Sequence, residues 1–175
     1  VHGTTIALNE MPVKIGGMHA GVSVGPDGAT HQMLEDIGLM RMLPNMVVLN
    51  PCDAEEGRKA IVAAAKTPDP TYIRFGRAGV PVYTTANTPF SIGKALRLWT
   101  SEKPVVAIMA TGPLAYDALL AARALEADGS HPRAPSGAVA RSVCGGPVAQ
   151  AGGPNAASRA GPMSGEDGSS PFRKK

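Results

Sequence analysis

The chain reads as an α/β protein built on a parallel sheet, and three observations point there. Short apolar runs, MPVKIGG (11–17), MVVLN (46–50) and PTYIRF (70–75), alternate with stretches whose apolar residues recur at helical spacing. The intervals between these runs are long enough for crossover connections, which parallel strands require and hairpins do not. The start of one intervening helix also carries a capping signature, Asp53 followed by Glu56. An aspartate side chain accepts from the free N–H groups of the first turn, and a glutamate three residues on can reach back.

The elements follow in order. MPVKIGG is a short strand ending in glycines. In HQMLEDIGLMRML (31–43), Met33, Leu34, Ile37, Met40 and Leu43 form an apolar stripe, which predicts a helix with Thr30 as N-cap and Pro44-Asn45 as its stop. MVVLN is a buried strand, DAEEGRKAIVAAAK (53–66) the second helix, and PTYIRF the third strand. Residues 78–90, AGVPVYTTANTPF, hold turn signals without a helical period and are expected to link two domains. KALRLW (94–99), PVVAIMA (104–110) and the helix GPLAYDALLAARALEA (112–127) then begin a second α/β unit, too small to cover both faces of a sheet.

Periodicity stops at that helix. Residues 129–175 contain no Leu or Ile, one aromatic (Phe172), and 30 of 47 residues that are Gly, Pro, Ser or Ala. Such a segment buries too little apolar area to offset its chain entropy, so disorder is expected. An Ala/Gly/Pro/Arg-rich stretch is also what a GC-rich gene yields in the wrong frame. From about Gly129 onward the sequence therefore reads as a frameshifted or misassigned end rather than a native flexible tail.

Charge marks the same boundary. Residues 1–128 carry 11 Lys and Arg against 12 Asp and Glu, a net of −1, whereas residues 129–175 carry 6 against 2, a net of +4. The formal +3 and the pI near 9.0 thus belong to the tail, and no folded basic surface points to a nucleic-acid partner. No apolar run approaches the roughly 18 residues of a membrane helix, and Val1 opens no signal-peptide pattern, so a cytoplasmic location without membrane contact is expected. Cys52 and Cys144 match neither a zinc nor a redox spacing.

Chemistry concentrates in GGMHAGVSVGPDGATHQ. His19, Asp27 and His31 fall within 13 residues, on a glycine-rich loop between a strand end and a helix start. Ligands of open parallel sheets bind at such carboxyl ends of strands. Two imidazoles and a carboxylate can donate protons, accept them and bind hydroxyl groups. Three such groups without a fourth nearby fall short of a metal site. Taken alone, the loop is equally compatible with solvent-facing histidines and an ordinary Gly-Pro-Asp-Gly turn.

The spacing resembles the pyrimidine-binding domain of the transketolase family. That pattern has a His, seven intervening residues, an Asp in a Gly-(Glu/Asp)-Asp-Gly turn, three more residues, and a second His in THQ. This chain reads H-AGVSVGP-D-GAT-HQ, and LEDIGLMRMLPNMVVLNPCDAEE continues the likeness over roughly residues 1–128, most closely to the C-terminal chain of split transketolases. The resemblance implies a partial thiamine-diphosphate pyrimidine-binding domain over 1–77, a linker over 78–90, and the truncated start of the transketolase C-terminal domain over 91–128. It implies that His19 bonds the donor sugar or its phosphate. Asp27 would read a substrate hydroxyl as a buried carboxylate. His31 would stand near the cofactor's reactive carbon, binding the donor oxygen and assisting proton transfer. Arg77, in RFGRAGVP, aligns with the family's phosphate-gripping arginine, with Arg74 as the nearby competitor. Pro26 replaces a customary acidic residue, and Gly76 a serine.

Other parts of the pattern are missing. The family's activating glutamate and stacking aromatic would precede this stretch, and Glu10 stands in the wrong context for that role. The motif that holds magnesium and the diphosphate belongs to the other domain or subunit, and GEDGSS (165–170) lacks the strand and helix it needs. The resemblance therefore implies thiamine diphosphate and Mg as cofactors, sugar phosphates as substrates, and an N-terminal transketolase subunit and a homodimer partner in the parent assembly. The isolated chain is expected to be inactive and, with apolar faces uncovered, marginally stable or self-associating. Two sibling readings are 1-deoxyxylulose-5-phosphate synthase, which usually has another residue at the position of His19, and a 2-oxo-acid dehydrogenase β chain, which lacks the GPDGATHQ turn. A non-catalytic fragment that packs against a partner chain is a third.

Overall fold

A computed structural model describes residues 2–101 and 106–127, and the backbone of 138–143. The first sheet has three parallel strands in the order β1 (Lys14–Gly17), β3 (Thr71–Arg74), β2 (Val47–Leu49). Side-chain alternation along β2 and β3 sorts the core to two faces. Val47, Leu49 and Ile73 pack on Ala60 and Ala64 of α2 (Ala54–Ala65). Val48 and Tyr72 face the other way, toward Met46, Ile37, Met40 and Leu43 around α1 (Asp36–Met42) and toward Ile6 and Ala7 of an N-terminal π-helical segment, His2–Leu8.

The first helix starts five residues later than its apolar stripe predicts. The backbone of residues 31–34 is committed elsewhere: His31 N–H donates to Gly28 O at 3.1 Å, and Met33 O accepts from Gly21 N–H at 2.8 Å. The Thr30 hydroxyl meets His31 Nδ1 at 2.9 Å instead of capping a helix. Met33 and Leu34 are consequently exposed rather than buried. The helix ends as expected, where Asn45 takes the left-handed conformation (φ 62°), one that asparagine tolerates better than most side chains.

The second sheet draws one strand from the compositionally biased stretch. Ala138–Val143, inside the stretch read as a disordered tail, forms β6 at the centre of the order β4 (Ala95–Thr100), β6, β5 (Val106–Ala110). It runs parallel to β5 and antiparallel to β4. The strand returns beside β5 after the crossover through α3 (Leu114–Ala127). Pairing on both edges thus overrides a sequence of low apolar content. The other residues of 129–175, including Cys144 and GEDGSS, lie outside the described residues. Among those described, no helix is long and apolar enough to cross a membrane.

Residues 78–90 hold neither helix nor strand, yet Tyr83, Thr84 and Thr88 are buried. Asp53 holds this segment down. Its Oδ1 accepts from Glu56 N–H at 2.9 Å, the expected cap, and from the Thr84 hydroxyl at 2.8 Å. Its Oδ2 accepts from the backbone N–H groups of Tyr83 (3.0 Å) and Thr84 (2.6 Å). Glu56 reaches back to Cys52 N–H at 2.7 Å, one residue beyond the N-cap amide of the usual capping box. Cys52 and Tyr83 then join Leu98, Trp99, Ala115, Leu119 and Ala122 in one cluster, so the strap fixes one unit against the other. A second tie is Gly112 N–H to Asn50 O at 3.0 Å. At Gly112 φ is +63°, and a Cβ would stand 2.5 Å from Asn50 Nδ2, so glycine is required there.

Burial alone would raise the Asp53 pKa, but the hydrogen bonds from Glu56, Thr84 and Tyr83 prevail and hold it below its ordinary value. The stability that Asp53 contributes is therefore present above the unfolded-state value, about 3.9, and is lost as pH falls through the lower folded-state value. Asp53→Ala is expected to cost about 3 kcal/mol or more, because the Tyr83 and Thr84 amides lose a buried acceptor along with the cap. Urea unfolding at pH 7 checks this, and a loss under about 1 kcal/mol would contradict it.

Candidate functional site

The site is built where β1, β3 and the loop before α1 end together. Phe75 N–H donates to Gly17 O at 2.7 Å, and Ala20 N–H donates to Phe75 O at 3.0 Å. His19 lies between those bonds with φ 57°, a conformation uncommon for a residue with a side chain and often found at functional positions. At Gly21 (φ 83°) a Cβ would meet Arg74 Nη2 at 2.9 Å. The chain then makes 3₁₀ turns over Val22–Asp27, broken at Gly25, and reaches His31.

His19, Asp27 and His31 are all exposed at this end of the sheet. No side-chain hydrogen bond joins the three to one another among the described residues; His31 bonds Thr30 and Asp27 bonds Arg77. The Arg77 guanidinium donates from Nη1 to Asp27 Oδ2 at 2.7 Å and to Val24 O at 2.9 Å. The expected hydroxyl-reading carboxylate and phosphate-gripping arginine are thus one ion pair, with side chains 44% and 38% exposed. Asp27 is not the buried carboxylate that the sequence suggests. Its charge is balanced by the residue 50 positions away that would otherwise face an anion.

Arg74 does not compete for that role. Its Nε donates to Asp36 Oδ2 at 2.9 Å, and that oxygen also accepts from the Tyr72 hydroxyl at 2.9 Å. Burial first, then the Asp36 carboxylate, pushes the Tyr72 phenol up to about 12, so it remains a donor across the physiological range. Asp36 falls within the helix predicted over 31–43, but its pairing with Tyr72 and Arg74 is not foreseen by the sequence pattern. The available signal was an Asp and an Arg inside otherwise apolar elements.

The described residues contain no group of three or more His, Cys, Asp or Glu able to hold a metal ion. The exposed glycine-rich loop offers two imidazoles and a carboxylate at the strand ends. Among the described residues, then, no metal-holding cluster is available to the metal that would accompany a diphosphate.

Residues 4–82 match the transketolase pyrimidine-binding domain, a thiamine-diphosphate-type domain whose parallel-sheet α/β fold agrees with the sheet described above. Two curated relatives are each 38% identical. One is an apulose-4-phosphate transketolase subunit of Phocaeicola vulgatus, with the match covering 73% of this chain and 41% of the relative. The other is a putative transketolase C-terminal section of Methanocaldococcus jannaschii, covering 71% and 39%. The inactive homotetramer of a split-gene transketolase superposes with a TM-score of 0.67 at 36% identity, over 81% of this chain and 42% of that one. The chain belongs to the transketolase family and corresponds to its C-terminal section; it spans about two fifths of the length of these relatives.

Asp27→Asn removes the internal counter-charge and leaves Arg77 free for an anion. Inorganic phosphate is expected to bind the variant about 2–5-fold more tightly, the scale of an exposed ion pair. NMR titration of the Arg77 side-chain resonances measures this, and unchanged affinity would show that the pair does not restrain Arg77.

Proposed function

We propose that this chain is the sugar-phosphate-facing section of a transketolase, which transfers a two-carbon ketol unit from a ketose phosphate to an aldose phosphate in complex with a complementary chain. The observation that carries the reading is the His19–Asp27–His31 loop at the strand ends, with Arg77 at its rim. Thiamine diphosphate, with its Mg, would be gripped largely by the complementary chain and supplies the electron sink for cleaving and forming the carbon–carbon bond.

In this reading the chain's own residues position the sugar. Arg77 exchanges Asp27 for the substrate phosphate, which suits its guanidinium fork. Asp27, released, accepts a substrate hydroxyl, and an analogue lacking that hydroxyl leaves the carboxylate without a partner. His19 bonds the donor sugar. His31 bonds the donor oxygen and moves a proton at its ring nitrogen.

Two further observations support a complementary chain. Met18, Val22 and Leu34, each above 60% exposed, lie on the same chain segment as His19 and His31 and are apolar side chains of the kind that partners cover. The Methanocaldococcus relative is likewise a C-terminal section.

Purified alone, the chain is expected to give no turnover with xylulose 5-phosphate and ribose 5-phosphate. Mixed with an N-terminal transketolase chain and thiamine diphosphate, it is expected to transfer the ketol unit, with His31→Ala lowering kcat about 100-fold or more. Turnover by the chain alone would refute the half-site. Decarboxylation of pyruvate by the assembly, without ketol transfer, would favour the deoxyxylulose-phosphate synthase reading.

A further inference from the structure

Three separate segments carry the candidate site: the exit of β1 with His19, the loop before α1 with His31, and the exit of β3 with Arg77. Beneath them lies a buried polar trio that the proposed chemistry does not use. Asp36, 3% exposed, is the first residue of α1. Its carboxylate turns away from its own helix end and accepts from Tyr72 and Arg74, both on β3.

The trio reaches all three segments. Tyr72 lies across β1 so closely that a Cβ on Gly17 would stand 2.0 Å from its hydroxyl oxygen. Arg74 extends past the β3–α1 contact until Nη2 lies against Gly21, where a Cβ would stand 2.9 Å away. Gly21 in turn donates to Met33 O, two residues beyond His31. Breaking a buried ion pair is costly, but replacing both partners by apolar residues is often neutral or stabilising. Stability alone therefore does not explain charges here, whereas the directional bonds of a guanidinium and a phenol to one carboxylate oxygen do fix geometry.

We infer that Asp36, Tyr72 and Arg74 are positioning residues, a buried brace that holds the His19 and His31 segments in place relative to the end of β3. The three bond one another and pack against Gly17 and Gly21. The inference rests on the site proposed at those residues, but not on the reaction assigned to it.

The test is amide hydrogen exchange on the full chain. Asp36→Leu combined with Arg74→Met removes both charges at similar volume. The Ala20 and Gly21 amides, which bond Phe75 O and Met33 O, are expected to exchange at least 10-fold faster, while the Val47 and Thr71 amides, bonded to Pro70 O and Val13 O, keep their protection. Tyr72→Phe, a milder change that retains the ion pair, is expected to speed Ala20 and Gly21 about threefold and serves if the double variant does not fold. Unchanged loop protection in either folded variant would overturn the brace, as would loss in step with Val47 and Thr71, which marks a merely structural role. If the loop amides loosen but the assembled enzyme transfers no ketol unit, the brace stands and the assigned reaction falls.

Discussion

The carboxylate of Asp53 is the point on which the rest of the architecture depends. It sits where β2 hands over to α2, buried, and receives four donors: one from the first turn of its own helix and three from the strap 30 residues downstream. Four donors use the acceptor capacity of a carboxylate in full, which is how a charge persists at a buried position. The positive end of α2 adds to this. Because the same group caps the helix and anchors the strap, the first sheet and the Cys52–Tyr83–Trp99 cluster of the second unit are one mechanical system.

That rigidity ends at the strand tips, and the site begins there. Between β1 and α1 the backbone spends its hydrogen bonds on crossing between segments instead of extending the helix. Main-chain bonds thus hold the loop, and His19, Asp27 and His31 remain free of one another. The Asp27–Arg77 pair is the side-chain contact that ties this loop to the exit of β3, and its exposure keeps it weak.

The two arginines of RFGR show how neighbouring residues of one type divide between a buried and a surface ion pair. Arg74, 16% exposed, is held by a buried carboxylate, whereas Arg77 is beyond the end of β3 and pairs at the surface. The strand places the first under the loop and lets the second project past it.

By itself the sequence determined the features that depend on neighbours a few residues apart. The three strands of the first sheet, the Asp53 cap with Glu56 in its first turn, the Asn45 stop and the spacing of His19, Asp27 and His31 are all short-range signals, legible in 175 letters. Tertiary structure decided what depends on distant partners. It delayed α1 to Asp36, because loop amides and carbonyls had found partners outside the helix. It drew Ala138–Val143 between two strands despite a composition that argues for disorder. It also tied Asp36 to Arg74 across 38 positions and Asp27 to Arg77 across 50. Propensity and capping act within a turn or two of chain, whereas ion pairs and sheet pairing are settled only when the folded backbone brings remote segments within hydrogen-bond reach.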